Sequence, residues 1–337
     1  MPREALTAIA AGIASAAAAM ALLTGAFVTI GIVYMAPLPM LMAGLALGPR
    51  AAAIAALTGV VTMGFAGGTA LAGLFAVVHG VPTWAVVRLA LSPRIGGGSA
   101  GGTTAKGGSV ADAWMAPGWI VGALAIFAAG LVVLFAIAVS NVGLSEFVAQ
   151  YLEQAMRALG PGAKSTGGGE LAPLFGMEPI SPEQFARATT PLFPGTAATS
   201  WVVMVTVNAV VAQGLLVRIG HNRRPSPSYV GLDLPMWLSW PLVGAALMAL
   251  VGPGQWEYVG RNLAMVLALP YFFLGLAVVH TAARRVSATT LLLVAFYLVM
   301  VMSIWAALLV AGIGIVEQWF GLRGRFGPGP DRNDDPE

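Results

Sequence analysis

An all-α, polytopic transmembrane helical bundle is the fold class this sequence predicts, on three observations. Of 337 residues, 58% are hydrophobic and only 9% are charged, where a soluble domain carries about 25% charged residues. Mean hydropathy is +0.83. The apolar residues also come in long uncharged runs rather than short alternating ones. Together these exclude a water-soluble enzyme and a disordered chain, and the absence of cysteine excludes a disulfide scaffold. The expected count is eight or nine transmembrane helices, with one amphipathic interfacial helix in a long extracytoplasmic loop.

Each element follows from the runs in order. Residues 5–47 carry no charge, and at 1.5 Å per residue they are too long for one crossing of a ~30 Å core. Two helices are expected, with a break near Gly31 or before Pro37 and Pro39. Gly48-Pro49-Arg50 is a turn. Residues 51–91 again predict two helices, interrupted by Gly64, Gly67 and Gly68 and ending near Arg88. Residues 1–94 are therefore an N-terminal four-helix membrane half. Residues 95–116 are a flexible, Gly-rich cytoplasmic linker. The C-terminal half, 117–320, holds a helix at 117–140 and apolar stretches at 196–218, 235–252, 261–283 and 287–316. Residues 321–337 are expected to be a disordered tail. Pro270 is expected to kink its helix.

Between the fifth and sixth helices lies a different kind of segment, 141–195. Leu144, Phe147, Val148, Tyr151, Leu152, Met156 and Leu159 fall at helical spacing, with Glu146, Gln150, Glu153 and Arg157 off the stripe. This amphipathic helix is too polar to span and suits a membrane surface or the bundle's side. A second short helix is expected at Ser181, with Pro182 at its first position and Gln184 completing a capping box.

Charge distribution orients the chain. Arg88, Arg94, Lys106, Arg218, Arg223, Arg224, Arg284 and Arg285 flank three short loops, which marks those loops as cytoplasmic. The carboxylate-rich segment 141–195 is placed outside. The net charge of +3 is too small to imply nucleic-acid binding. The apolar run after Arg3 continues past Tyr34, as a retained first helix does and a cleaved signal does not. Lipid bilayer is the expected surrounding, and the bacterial inner membrane, crossed several times, the expected location.

The chemistry is read mainly from absences. Outside the helix ends no Asp, Glu, Lys or Arg falls within a span, which disfavours a carboxylate-driven pump. His79, His221 and His280 lie far apart, no metal motif is present, and no cofactor or catalytic residue is expected. Gly162-Ala163-Lys164-Ser165 departs from a phosphate-binding loop, which needs Gly before the Lys. Six uncharged groups remain as candidates for a ligand pocket: His79 and Trp84 on the fourth helix, Asn208 and Gln213 on the sixth, Asn262 and Tyr271 on the eighth. In lipid such groups pair across helices or line a cavity, and interhelical pairing is the commoner case. Ala10, Ala14 and Ala18 form a small-residue face expected to pack inside the protein. Glu317 either pairs with Arg323 or anchors at the interface beside Trp319, the anchor being the default.

Three stretches carry a resemblance: APLPMLMAGLALGPRAAAIAALTG near the start, RNLAMVLALPYFFLGLAVVH late in the chain, and GIGIVEQWFGLRGRF at its end. With the overall layout they resemble the DUF2232, or YybS-like, family of bacterial membrane proteins, over nearly the full chain. That resemblance implies no activity and transfers no functional residues. The Pro-Leu-Pro … Gly-Leu-Ala-Leu-Gly-Pro-Arg stretch also looks like the S-components of energy-coupling-factor transporters. That second resemblance implies a small-solute-binding transport component docked on an ATPase-bearing module. A non-catalytic scaffold or assembly factor is the alternative, and a lipid enzyme using Glu146 and Glu153 ranks below both.

Overall fold

The structure is a computed structural model describing residues 3–21, 29–93, 114–158, 181–227, 229, 231–286 and 288–325. Among the described residues the regular elements are all helical, and the one β pairing is an isolated bridge between Pro93 and Trp114. In chain order they are α1 (Arg3–Met20), α2 (Thr29–Tyr34), α3 (Pro37–Leu47), α4 (Pro49–Phe75), a π-helical turn (Ala76–Gly80) and α5 (Val81–Ala90). Then come α6 (Pro117–Ala138), α7 (Leu144–Ala158), α8 (Pro182–Thr189), α9 (Phe193–Arg218) and α10 (Ser239–Val251). The last are α11 (Gln255–Ala283), α12 (Thr289–Met302), α13 (Ile304–Phe320) and α14 (Leu322–Arg325). Prolines open many of them: Pro37, Pro49, Pro117 and Pro182 stand in first turns, where a missing N–H goes unused.

Among the described residues four helices are long and apolar enough to cross a membrane, or five if a bent pair at the end counts as one. Gly31–Leu47 and Met236–Val251 are apolar but shorter. The expected count of eight or nine includes these short helices, which fall below the ~20 residues of a full crossing.

The longest candidate, Pro49–Ala90 at 42 residues, would extend roughly twice the ~30 Å core at 1.5 Å per residue. It does not run straight. Gly67 (φ −149°, ψ 19°) and Gly68 (φ 78°, ψ −174°) leave the helical region. The positive φ at Gly68 is accessible to glycine and strained for other residues. The two arms fold back on each other around this point. A methyl placed on Gly59 would lie 2.5 Å from the Phe75 ring, one on Gly64 3.5 Å from Ala72, and one on Gly80 3.6 Å from Ala56. Pairings that converge on residues 67–68 define an antiparallel hairpin, at the place where the glycine pattern predicts a break.

Contacts divide the bundle into a basic end and an acidic end. At the basic end the Arg223 Nε donates to Ala46 O (3.0 Å) and the Arg224 Nη1 donates to Ala90 O (2.8 Å). Both ends of the hairpin are therefore here. At the acidic end Tyr258 donates to Thr190 O (2.6 Å). There α7 lays buried Leu144, Val148 and Leu152 against the main core. Its polar side reaches α8 through Arg157, which pairs with Glu153 and, at 3.1 Å, with Glu183. Ser181 and Gln184 make the expected capping box at α8. α7 is a helix over most of the striped segment, with Leu144, Val148 and Leu152 of the stripe on the bundle and Phe147 and Tyr151 exposed.

α11 is the centre of the core, with 61% of its most apolar window buried against 11% for the hairpin. It stays helical through Pro270. α13 crosses it in backbone contact, since a side chain on Gly275 would meet Val310 O and one on Gly314 would meet Tyr271 O. α12 has no buried residue.

Several expectations need correcting. The run 287–316 is not one helix but is broken at Ser303 (φ −140°, ψ 116°), with a 116° bend between its halves. No glycine or proline stands there, so the sequence carries no signal for the break. On α1, the buried face is Ala8, Gly12, Ser15 and Ala16, packed on α4, while Ala10 and Ala14 are exposed. The four-residue register Ala8, Gly12 and Ala16 lies two positions from the expected one, on the other side of the helix. Glu317 is buried and accepts from the Arg323 Nε (2.6 Å), so it pairs rather than anchors. The start of the expected tail is the helical turn α14. Met115, at the end of the expected linker, is 3% exposed. Residues 95–113 of the linker, the Gly162–Ser165 motif and residues 326–337 lie outside the described residues.

Candidate functional site

The π-helical turn organises the first cavity. Pro82 has no N–H, so the Val78 carbonyl four residues earlier loses its helical partner. The Trp201 indole N–H of α9 donates to that carbonyl instead, at 3.0 Å. The widened turn, in which the Val81 N–H bonds Ala76 O, carries His79. Turns of this kind recur at functional sites.

His79 lines a cavity of about 440 Å³ between α1, α2, the hairpin and α9. The side chain is 7% exposed, and Nδ1 has no hydrogen-bond partner. Its ring sits 5.2 Å from that of Phe75. The lining also holds a second polar pair, the Tyr34 hydroxyl with Ser200 Oγ at 2.8 Å. Otherwise the lining is apolar, with Met20, Met63, Leu71 and Met204 prominent. Such a site, mostly apolar with a few placed polar groups, has the make-up of a small-molecule pocket.

A second cavity, of about 540 Å³, lies at the basic end between α5, α6, α9, α11 and the loop after α9. Arg224 and Gln213 are among its lining residues. The Gln213 Nε2 donates to Arg224 O at 2.8 Å.

The six candidates therefore part company. His79 enters the first cavity and Gln213 the second. Asn208 stands beside the first, donating from Nδ2 to Tyr34 O (2.7 Å) and Met204 O (2.8 Å) while its Oδ1 has no partner. Trp84 is 43% exposed and lines neither. Asn262 is used structurally: Oδ1 accepts from the Gly195 N–H (2.7 Å) and Nδ2 donates to Pro191 O and Tyr258 O. The Tyr271 hydroxyl pairs with Ser239 Oγ (3.1 Å) inside the core. Interhelical pairing is thus the role of Asn262 and Tyr271. Sequence reasoning missed Tyr34, Ser200, Trp201 and Arg224 as site residues. Arg224 had shown only as half of an Arg-Arg topology marker, and nothing in that dipeptide tells the buried member from the exposed one. Among the described residues no group of three or more His, Cys, Asp or Glu is placed to hold a metal.

A family model described as a predicted membrane protein (DUF2232) matches residues 15–317. The chain belongs to the DUF2232 family. No curated protein and no solved structure matches it. The similarity to S-components is not shown by these comparisons. For this DUF2232 protein the membrane setting is thus supported by the family as well as by its apolar helices.

Proposed function

We propose that this DUF2232 protein is a multi-pass protein of the bacterial inner membrane that binds a small, largely apolar solute in the His79 cavity. The observation that carries the proposal is the buried imidazole nitrogen without a partner in an otherwise apolar cavity. A buried polar atom left unpaired costs about 1–3 kcal/mol, which a ligand bearing one hydrogen-bonding group removes when the ring turns that nitrogen toward the cavity. The cavity is lined by the first turns of α9 and by Leu71, close to the hairpin turn, and so lies toward the acidic end. With the basic end inside, the solute enters from outside. The protein serves as the binding component of a transport system and relies on a partner ATPase, with no catalysis of its own.

The topology proposed with it has eight crossings: α1, α2–α3, the two hairpin arms, α6, α9, α10 and α11. The bent pair α12–α13 is re-entrant. It leaves α11 at Arg284 and Arg285 and returns to the basic end, where Gln318 donates to Leu234 O (3.1 Å) and Arg323 to Leu232 O (2.8 Å). Arg323 and Arg325 then lie inside, in agreement with the positive-inside rule.

Native mass spectrometry of the tagged protein, extracted in mild detergent from its own host, tests the binding reading. A small-molecule adduct that His79→Leu loses is expected. Wild-type protein without an adduct, or an adduct unchanged in the variant, overturns it.

One observation favours the scaffold alternative. Phe147 and Tyr151 on α7 are exposed, at 36% and 56%, although Leu144, Val148 and Leu152 of the same helix are buried. A partner at this end would use those two aromatics. Phe147→Ser with Tyr151→Ser then breaks a co-purifying complex, and an intact complex rejects the scaffold reading.

A further inference from the structure

Arg224 is a buried cation without an anion. It is 5% exposed, and among the described residues no carboxylate lies within ion-pair distance of it. Its position is held tightly. Nη1 donates to Ala90 O (2.8 Å) and Met115 O (3.4 Å), and the backbone carbonyl accepts from the Gln213 (2.8 Å) and Asn222 (2.9 Å) side-chain amides. Nε has no partner. Burial alone pushes its pKa below the usual arginine value. A charge taken from water without compensation is strongly unfavourable, whereas a bound anion with charge-assisted hydrogen bonds offsets the cost.

The cavity that Arg224 lines supplies the rest of the ligand's description. Its walls are apolar, with Val86, Leu124 and Phe273 among them. Its α9 side is formed by Val207 and Val210, exposed at 45% and 67%, so the cavity opens sideways where α9 meets lipid. Exposed Ser226, Pro227 and Tyr229 line its loop side at the basic end, so a lipid can place its headgroup there and its chains in the lateral apolar mouth. The exposed Arg218 and Arg223 lie at the same end and add attraction for anionic headgroups.

We infer that this cavity binds an anionic phospholipid from the bilayer, its headgroup phosphate on the Arg224 guanidinium and one acyl chain along α6 and α9. The site is separate from the His79 cavity and does not depend on solute binding there.

Full-length protein in neutral detergent is titrated with phosphatidylglycerol or with phosphatidylcholine of the same chains. Retained lipid is read by native mass spectrometry and Tm by thermal unfolding. Wild type is expected to retain phosphatidylglycerol about tenfold better, the size of one charge-assisted contact, and to gain Tm with it selectively. Gly214→Leu is the decisive variant. Gly214 lines the cavity, and a Cβ there meets nothing within 4 Å, so a larger side chain can be added to this wall without displacing a neighbour at its root. It is expected to keep its Tm in phosphatidylcholine and to lose the phosphatidylglycerol preference. Arg224→Gln is expected to lose it as well, and if that variant does not fold, Gly214→Leu decides alone. Equal retention of the two lipids by wild type, or a preference that survives Gly214→Leu, overturns the inference. So does inorganic phosphate reproducing the whole Tm gain, which would mark a simple ion site.

Discussion

The cavity at His79 and the cavity at Arg224 are built alike and differ in one nitrogen-bearing group. Both are apolar pockets against α9, and each has one buried side chain with a nitrogen lacking a partner. At the acidic end that group is an imidazole, which a folded protein tolerates at modest cost. At the basic end it is a guanidinium, whose burial without a counter-charge is far costlier. The Arg224 Nη1 also bonds two backbone carbonyls, whereas the imidazole Nδ1 bonds nothing. The His79 cavity is therefore suited to exchange a solute, and the Arg224 cavity to retain a resident anion.

Substitutions at the two sites sharpen that contrast, because their effects should have opposite signs. The largest effect is expected from Arg224→Ala, which leaves Ala90 O and Met115 O without a donor. The two orphaned carbonyls cost about 2–6 kcal/mol at ~1–3 kcal/mol each, offset in part by removal of an uncompensated buried charge, and the net loss is read by chemical unfolding in neutral micelles. A net loss under half the lower figure would mean that water replaces the guanidinium freely. Trp201→Phe should cost about 1–3 kcal/mol, because the Val78 carbonyl released by Pro82 then loses its donor. An unchanged Tm in this variant would show that the π-helical turn satisfies itself. His79→Leu should raise stability by about 1 kcal/mol in ligand-free protein, since it removes an unpaired polar atom at similar volume. A loss of stability there would mean that the imidazole has a structural partner and that the two cavities are more alike than the geometry indicates. The smallest effect belongs to Arg157→Gln at the exposed ion pairs between α7 and α8. It should be detectable only at low ionic strength and vanish by about 0.15 M salt, where the Debye length is ~8 Å.

The same contrast explains how much of the molecule was legible beforehand. The break at Gly67–Gly68, the proline-started helices, the capping box at Ser181 and the stripe of α7 are local. Each depends on bonds or sterics within about four residues, and such signals are written along the chain. The candidate site is not local. Asn208 bonds Tyr34 across 174 positions, and Arg224 bonds Ala90 across 134. Of the six polar residues singled out, composition and depth alone did not separate His79 from Asn262, because both are uncharged groups inside apolar helices.

By itself, then, the sequence determined that this protein is helical, that it belongs in a membrane, and where most of its helices begin and turn. Those properties come from hydropathy and from the backbone preferences of proline and glycine. Only the tertiary structure decided which face of α1 is buried, that the last apolar stretch bends at Ser303, and that Arg224 rather than Arg223 enters the interior. The physical reason is that burial is a property of pairs of surfaces. A residue's own chemistry sets what burial costs, and only its distant neighbours settle whether it is buried and what is left to compensate it.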